Sequence, residues 1–294
     1  LDVCLIVNRK SRRAERWRSR LEPLLESRDL RIRHSYFVEG RRELLAAGAE
    51  ARASGVQTVL IGGGDGTISS LAPFFSGSGV DVGLLPLGTG NALAFDLGIP
   101  SDIRGACDVI AARAIREIDL GRIDDAYFVN HVAVGASTLV SRSLCPHAKR
   151  WVGKLAYLSA ALRAYLRIKP FYAQLALDDE VIEIKTIQIV LGNGRHHAGP
   201  FLLTPNASLE SGQLVAYVLE TTDRRRLIEL VRRLRRGDHT EMADVHPYTF
   251  HEGHLRTPRS VRVSVDGEVT RRTPIEFSVV PKGLRILAPE SRAV

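Results

Sequence analysis

Asp65 stands where a carboxylate is unusual, inside a glycine-rich turn that follows a short apolar run: Thr58-Val-Leu-Ile-Gly-Gly-Gly-Asp-Gly-Thr67. Glycines let a backbone approach a ligand with no Cβ in the way. Their N–H groups, with the N-terminus of a following helix, bind phosphate oxygens. An aspartate set directly against phosphate would repel it, so Asp65 makes sense acting through a divalent metal or on an acceptor hydroxyl. The plain alternative is a turn in which Asp65 caps the next helix. The segment lacks the lysine of G-x-x-x-x-G-K-[ST]. It also misses G-x-G-x-x-G, because Thr67 stands at the last glycine. A second glycine turn, Gly88-Thr89-Gly90-Asn91, follows the apolar run 82–87. Far downstream, Asp266-Gly267-Glu268 follows the run 261–265 and offers another carboxylate, with an exposed acid in an ordinary hairpin as its plain reading.

The elements around these residues alternate in the first half. Residues 3–7, 58–61 and 82–87 are continuous apolar runs, as in buried parallel strands. Residues 30–38 alternate loosely. Helices are predicted over 44–53, 68–75 and 103–114, with Trp17, Leu21, Leu24 and Leu25 at helical spacing on a charged segment. Repeated strand–helix units predict a parallel sheet covered on both faces. Ligands bind such sheets at the carboxyl ends of the strands.

From Tyr127 on, strands predominate. Residues 171–177 and 181–189 read as a hairpin around Asp178-Asp179-Glu180. Further strands are predicted at 214–219, 261–265, 275–280 and 284–287, with helices over 154–166 and 223–236. The domain boundary falls near residues 121–125.

The segment Gly62-Gly63-Gly64-Asp65-Gly66-Thr67 resembles the signature shared by diacylglycerol-kinase-like lipid kinases, sphingosine kinases and NAD kinases. Leu85-Pro86-Leu87-Gly88-Thr89-Gly90-Asn91 is similar to the second nucleotide loop of the lipid kinases. The resemblance continues through Ile118-Asp119-Leu120-Gly121, Phe128-Val129-Asn130, Gly135, Gly192-Asn193-Gly194, Thr204-Pro205-Asn206-Ala207 and Asp266-Gly267-Glu268. Collinear matches over nearly the whole chain are more specific than any one glycine loop.

The resemblance implies an α/β fold in two domains, with the active site in the interdomain cleft. One is an N-terminal parallel-sheet nucleotide-binding domain, residues 1–122, joined by about residues 284–294. The other is a β-rich, sandwich-like domain, residues 123–283. It implies ATP and Mg2+, with the nucleotide held by Asn8, Lys10, Ser11, Gly62, Gly63, Gly64, Asp65, Gly66, Thr67, Gly88, Thr89, Asn91 and Asp266. Asp65 and Glu268 are the two candidates for the general base, and the resemblance favours Glu268. Some bacterial members hold a structural magnesium; the matching loop would use Ser208, Ser211 and Gln213, with Ser211 in place of the aspartate. Other departures are Arg9-Lys10-Ser11-Arg12 for Pro-x-Ser-Gly, Ser69-Ser70 for Asn-Glu, Ala92 for aspartate and Val38 near a nucleotide-contacting threonine.

The expected function is transfer of the γ-phosphoryl group of ATP to the hydroxyl of a diacylglycerol-like or sphingoid lipid. Phosphorylation of NAD and a non-catalytic nucleotide- or lipid-binding role are the alternatives. The net charge of +8 and pI of about 9.7 suit an anionic membrane surface, and the basic segment 223–236 could face lipid. A homodimer is left open. No nucleic-acid motif accompanies the charge. Three scattered cysteines argue against a disulfide framework and fit a reducing compartment. No targeting or spanning segment is expected, because the most apolar helical stretch carries Arg163 and a spanning helix needs about 20 apolar residues. The expectation is a cytoplasmic protein, peripherally associated with membrane.

Overall fold

A computed structural model describes residues 1–135, 169–198, 201–202, 207–219, 229, 233, 242 and 245–290. The helices expected over 154–166 and 223–236, and the stretch 204–206, lie outside the described residues except Glu229 and Arg233. The chain divides into two compact units. One holds Leu1–Leu120, Leu209–Gly212 and Val280–Val294; the other holds Gly121–Ser208 and Gln213–Val279.

The first unit runs β1 (Asp2–Asn8), α1 (Ala14–Trp17), α2 (Leu21–Glu26), β2 (Arg31–Val38), α3 (Arg41–Ala53), β3 (Thr58–Gly63), α4 (Asp65–Phe75), β4 (Asp81–Pro86), α5 (Ala92–Asp96), α6 (Ile103–Ala112) and the first part of β5 (Ile115–Ile123). Strands β2, β1, β3 and β4 lie side by side, all parallel. Their apolar runs are continuous because both faces are covered. Val3, Leu5, Val7, Leu60, Leu85 and Leu87 pack with Leu21, Leu25, Ile103, Cys107 and Ile110. On the opposite side α3 lies close to α4, and a Cβ on Gly48 would come within 2.7 Å of Leu71 and Phe74. Burial pushes the Cys4 and Cys107 thiols up to about 11, so both behave as small apolar groups.

Two pieces of distant sequence complete this unit. Residues 285–287 pair in parallel with β4, where Arg285 also meets Asp81 at 2.7 Å. The short piece Leu209–Gly212 is held by Asp119, which is 2% exposed. Its N–H donates to Leu209 O at 2.6 Å, and its carboxylate accepts from Gly212 N at 2.6 Å and Lys282 N at 2.9 Å. Asp119→Ala would leave two partly buried N–H groups without their acceptor, so a stability loss of about 1–2 kcal/mol is expected in urea unfolding. A loss under about 0.5 kcal/mol, the level of an ordinary surface substitution, would contradict this role.

The second unit is a sandwich. Its elements are β6 (Ala126–Phe128), β7 (His131–Gly135), β8 (Phe171–Leu177), β9 (Glu180–Thr186), β10 (Gln188–Gly192), β11 (His196–Ala198), β12 (Phe201–Leu202), β13 (Leu214–Leu219), β14 (Val245–Phe250), β15 (Glu252–Arg256), β16 (Arg262–Val265), β17 (Glu268–Arg272) and the first residues of β18 (Ile275–Leu287). One sheet has the order β14-β13-β10-β7-β16-β17; facing it, β15 joins β18 to the β8–β9 hairpin. Val132, Val134, Ile189, Leu191, Leu214, Ala216 and Val218 of the first sheet pack with Leu175, Leu177, Leu255, Ile275 and Phe277 of the second. The alternate residues Ala133, Val190, Val215, Tyr217 and Leu219 are buried on the outer face with Ala207 and Met242.

Two sequence expectations are corrected here. The run 181–189 is two strands, β9 and β10, in different sheets. They part because buried Thr186 donates through Oγ1 to Leu219 O at 2.7 Å and Ile187 N donates to the same carbonyl at 3.0 Å, which starts the β10–β13 pairing. The runs 275–280 and 284–287 are one strand, β18.

Candidate active site

The parallel sheet brings three strand ends to one edge. Val7 pairs with Gly62 and Gly63 with Pro86, so Asn8, the first glycine loop and the second glycine loop are neighbours. Gly63 O accepts from both Leu87 N and Gly88 N at 3.0 Å. The loops touch backbone to backbone: a Cβ on Gly88 would lie 2.5 Å from Gly64 Cα and from Asn91 Oδ1. Asn8 Nδ2 donates to Thr67 Oγ1 at 3.1 Å, and its own carbonyl and Oδ1 hold the N–H groups of Ser11 and Lys10. Of the expected nucleotide contacts, Asn8, Gly62, Gly63, Gly64, Asp65, Thr67, Gly88 and Asn91 thus sit in one bonded cluster. Lys10, Ser11, Gly66 and Thr89 lie beside them in the same loops, with Lys10 and Thr89 exposed.

Helix α4 begins at Asp65, three residues before the sequence reading starts it. Gly64 is its extended N-cap, and Gly64 O accepts from Thr67 N and Ile68 N. Asp65 therefore does not cap its own helix. Its Oδ2 accepts from Ala92 N and its Oδ1 from Leu93 N, both at 3.1 Å, so it caps α5 and clamps the second loop to the first. No signal in the local sequence points to this partner 27 residues on. Ser69 and Ser70 turn their hydroxyls back onto the α4 backbone carbonyls of Asp65 and Gly66.

Asn91 takes a left-handed conformation, φ 50°, and its Nδ2 donates to Pro86 O and Gly88 O at 3.3 Å. Its Oδ1 is buried and has no hydrogen-bond partner among the described residues. The two glycine loops at the strand ends and the first turn of α4 fit a phosphate-bearing ligand such as ATP, and the orphaned Asn91 acceptor fits a donor such as a ligand hydroxyl or a metal-bound water.

The late motif lies in the second unit. Asp266 and Gly267 form a two-residue turn with φ 46° and 86° between β16 and β17, and Val265 pairs with Glu268. The Asp266 carboxylate accepts from the N–H groups of Val129, Asn130 and His131, each at 2.9 Å, while its own N–H donates to His131 O. Asn193 joins the cluster through Nδ2 to Val129 O at 3.2 Å and its N–H to Asn130 O at 2.8 Å. Three separate sequence motifs meet here, and Asp266 acts in it as an anchor for the turn that carries exposed Glu268. His131 is buried, and burial pushes it down to about 4, so it is neutral at pH 7.

The loop 208–213 offers a divalent cation a single carboxylate, Glu210. Ser211 supplies no carboxylate, Glu210 is paired with Arg116 at 2.6 Å, and Asp119 receives the two N–H groups described above. Among the described residues no three His, Cys, Asp or Glu converge on a cation position. An unchanged melting temperature in EDTA, without nucleotide, is expected; a fall of several degrees reversed by Mg2+ would contradict it.

Fold and site together define an α/β unit with two glycine loops at the carboxyl edge of its parallel sheet, and a second unit that is a β-sandwich. The diacylglycerol kinase catalytic domain family matches residues 2–123, and the YegS C-terminal NAD kinase beta sandwich-like domain family matches residues 130–288. A diacylglycerol kinase of Mycobacterium tuberculosis is 32% identical over 260 residues, covering 84% of this chain and 81% of that one. One from Staphylococcus saprophyticus is 25% identical over 257 residues, covering 87% and 84%. A crystal structure of a Bacillus anthracis diacylglycerol kinase has the same fold, with a TM-score of 0.79 at 22% identity, covering 98% of this chain and 97% of that one. The chain belongs to the diacylglycerol-kinase-like lipid kinase family and is an enzyme of that class, a phosphotransferase with an alcohol group as acceptor. No described helix is long and apolar enough to cross a membrane.

Proposed function

We propose that the chain transfers the γ-phosphoryl group of ATP, taken with Mg2+, to the hydroxyl of a diacylglycerol-like lipid. The observation that carries this reading is the pair of glycine loops joined through Asp65 at the carboxyl edge of the sheet. The names of the relatives support the acceptor class.

Transfer of this kind asks the protein mainly for positioning and charge neutralisation. The backbone of residues 62–67 and 88–91 holds the phosphates, and the Asp65 clamp fixes the two loops against each other. Mg2+ bound with the nucleotide supplies positive charge at the phosphate oxygens. The acceptor oxygen bonds to the γ-phosphorus, the bond from that phosphorus to the β–γ bridging oxygen breaks, and ADP leaves. Glu268 takes the hydroxyl proton.

Incubation with labelled ATP, Mg2+ and a total lipid extract tests the reading. A labelled lipid is the expected product. Label that stays in ATP and inorganic phosphate with every lipid fraction overturns it.

A further inference from the structure

Strands β16 and β17 carry two arginines directly opposite each other. Arg262 pairs with Arg272, so both side chains leave the same face of the sheet. Like charges in this position repel. The next pair along is arranged differently. Arg271 stands opposite Val263, whose side chain lies in the sandwich core, and there it meets Asp124 at 2.9 Å and also Asp125. Arg262 and Arg272, on the other face, have no carboxylate at ion-pair distance among the described residues. The acids of the hairpin, Asp266 and Glu268, stand at its turn, away from this open end.

Ser264 shares the face of the two arginines. It lies two residues from Arg262 and opposite Ala133, which packs in the outer apolar cluster. Ser264 is 2% exposed, and its Oγ has no hydrogen-bond partner. A buried hydroxyl left in this state is costly, as is an unrelieved pair of like charges.

The backbone beneath these groups is pinned. Thr273, next to Arg272, is 4% exposed and closes the open end of the hairpin. Its N–H donates to Val261 O at 2.9 Å, its Oγ1 accepts from Val261 N at 2.9 Å, and its carbonyl accepts from Ser260 Oγ at 3.2 Å. Arg272 Nη1 donates to Ser260 O at 3.2 Å, which fixes one arm of the guanidinium. Thr257 Oγ1 donates to Arg259 O at 2.9 Å and so ties a third, exposed arginine into the same loop.

We propose that Arg262, Arg272 and Ser264 form a binding site for a phosphate monoester. A dianion there removes the repulsion between the arginines and gives the Ser264 hydroxyl an acceptor. Guanidinium forks match phosphate oxygens two at a time, and the bonds are charge-assisted. Phosphate is favoured over a carboxylate because three donor groups meet three terminal oxygens rather than two. No residue of the site belongs to the glycine loops, so the proposal stands apart from the kinase reading. Free phosphate and the phosphate of a lipid such as phosphatidic acid present the same chemistry.

The test is calorimetric titration of the whole chain with inorganic phosphate and with dihexanoylphosphatidic acid in solution. Arg262→Gln and Arg272→Gln are each expected to weaken binding by about 10-fold or more, and Ser264→Ala by about 3- to 10-fold. Without ligand the Arg272→Gln variant should melt no lower than the parent, since it loses a like-charge contact. Added phosphate should raise the melting temperature of the parent more than that of the variant. Arg272 is exposed, so its variant keeps the test open if Arg262→Gln does not fold. Weakened binding of both ligands supports a site for the phosphate group itself. Weakened binding of one alone supports the site and names its source, the soluble anion or the lipid headgroup. Parent-like affinity of Arg272→Gln and Ser264→Ala for both ligands overturns the proposal. A fall of several degrees in ligand-free Arg272→Gln also overturns it, because the arginine would then be structural.

Discussion

Asp65→Asn is expected to lower kcat/KM by about 100-fold or more and to weaken ATP binding as well. The asparagine keeps the size of the side chain but has one acceptor oxygen for the two N–H groups of Ala92 and Leu93, and it turns an NH2 against one of them. The clamp between the two glycine loops is then half broken. A displacement of about 1 Å at a site built on positioning is worth about 100-fold. The rest of the first unit has its own core, so the melting temperature should fall by only a few degrees. Near-parent turnover with unchanged ATP affinity would show that the clamp has no part in transfer.

Glu268→Gln is expected to behave differently. General base catalysis is typically worth about 10²–10⁴, so kcat should fall by about 100-fold or more. ATP affinity should stay within about 2-fold, since loss of a proton acceptor leaves a phosphate site intact. Stability should also be unchanged, because Glu268 is exposed while neighbouring Asp266 holds the turn. The two variants therefore separate two tasks. Asparagine at 65 should move binding and turnover together, and glutamine at 268 should move turnover alone. Weak ATP binding with intact kcat in Glu268→Gln would place this side chain at the nucleotide and return the base role to Asp65.

Much of the first unit is legible from the chain itself. Runs such as residues 3–7 and 59–61 can be apolar at every position only if both faces are covered, which is the condition of a doubly wound parallel sheet. The glycine loops follow from their places at the ends of such runs. What the two loops do to each other is not legible, because the bond from Asp65 to Ala92 and Leu93 joins distant residues whose types carry no mark of it. Ala92 and Leu93 contribute only backbone N–H groups, which every residue but proline has.

The same reason hides the anchor in the second unit. Asp266 binds three main-chain N–H groups of residues 129–131, so the motif expected to contact nucleotide also organises a turn. Strand boundaries in this unit are harder again. The run 181–189 alternates through Ile182 and Ile184 and then slips phase to Ile187 and Ile189, at the point where buried Thr186 ends the first strand by bonding to Leu219 O. Helix α5 and the short insertion Leu209–Gly212 have no periodic signal, since each is shorter than two helical turns or one ordinary strand.

The most direct measurement of the central claim is product stoichiometry with a defined acceptor. The chain is given ATP, Mg2+ and diacylglycerol in mixed micelles, with NAD as the competing soluble acceptor. The account predicts one ADP formed for each phosphorylated lipid, no NADP, and loss of both products in Glu268→Gln. ADP release with no phosphorylated lipid, or NADP as the product, would contradict it.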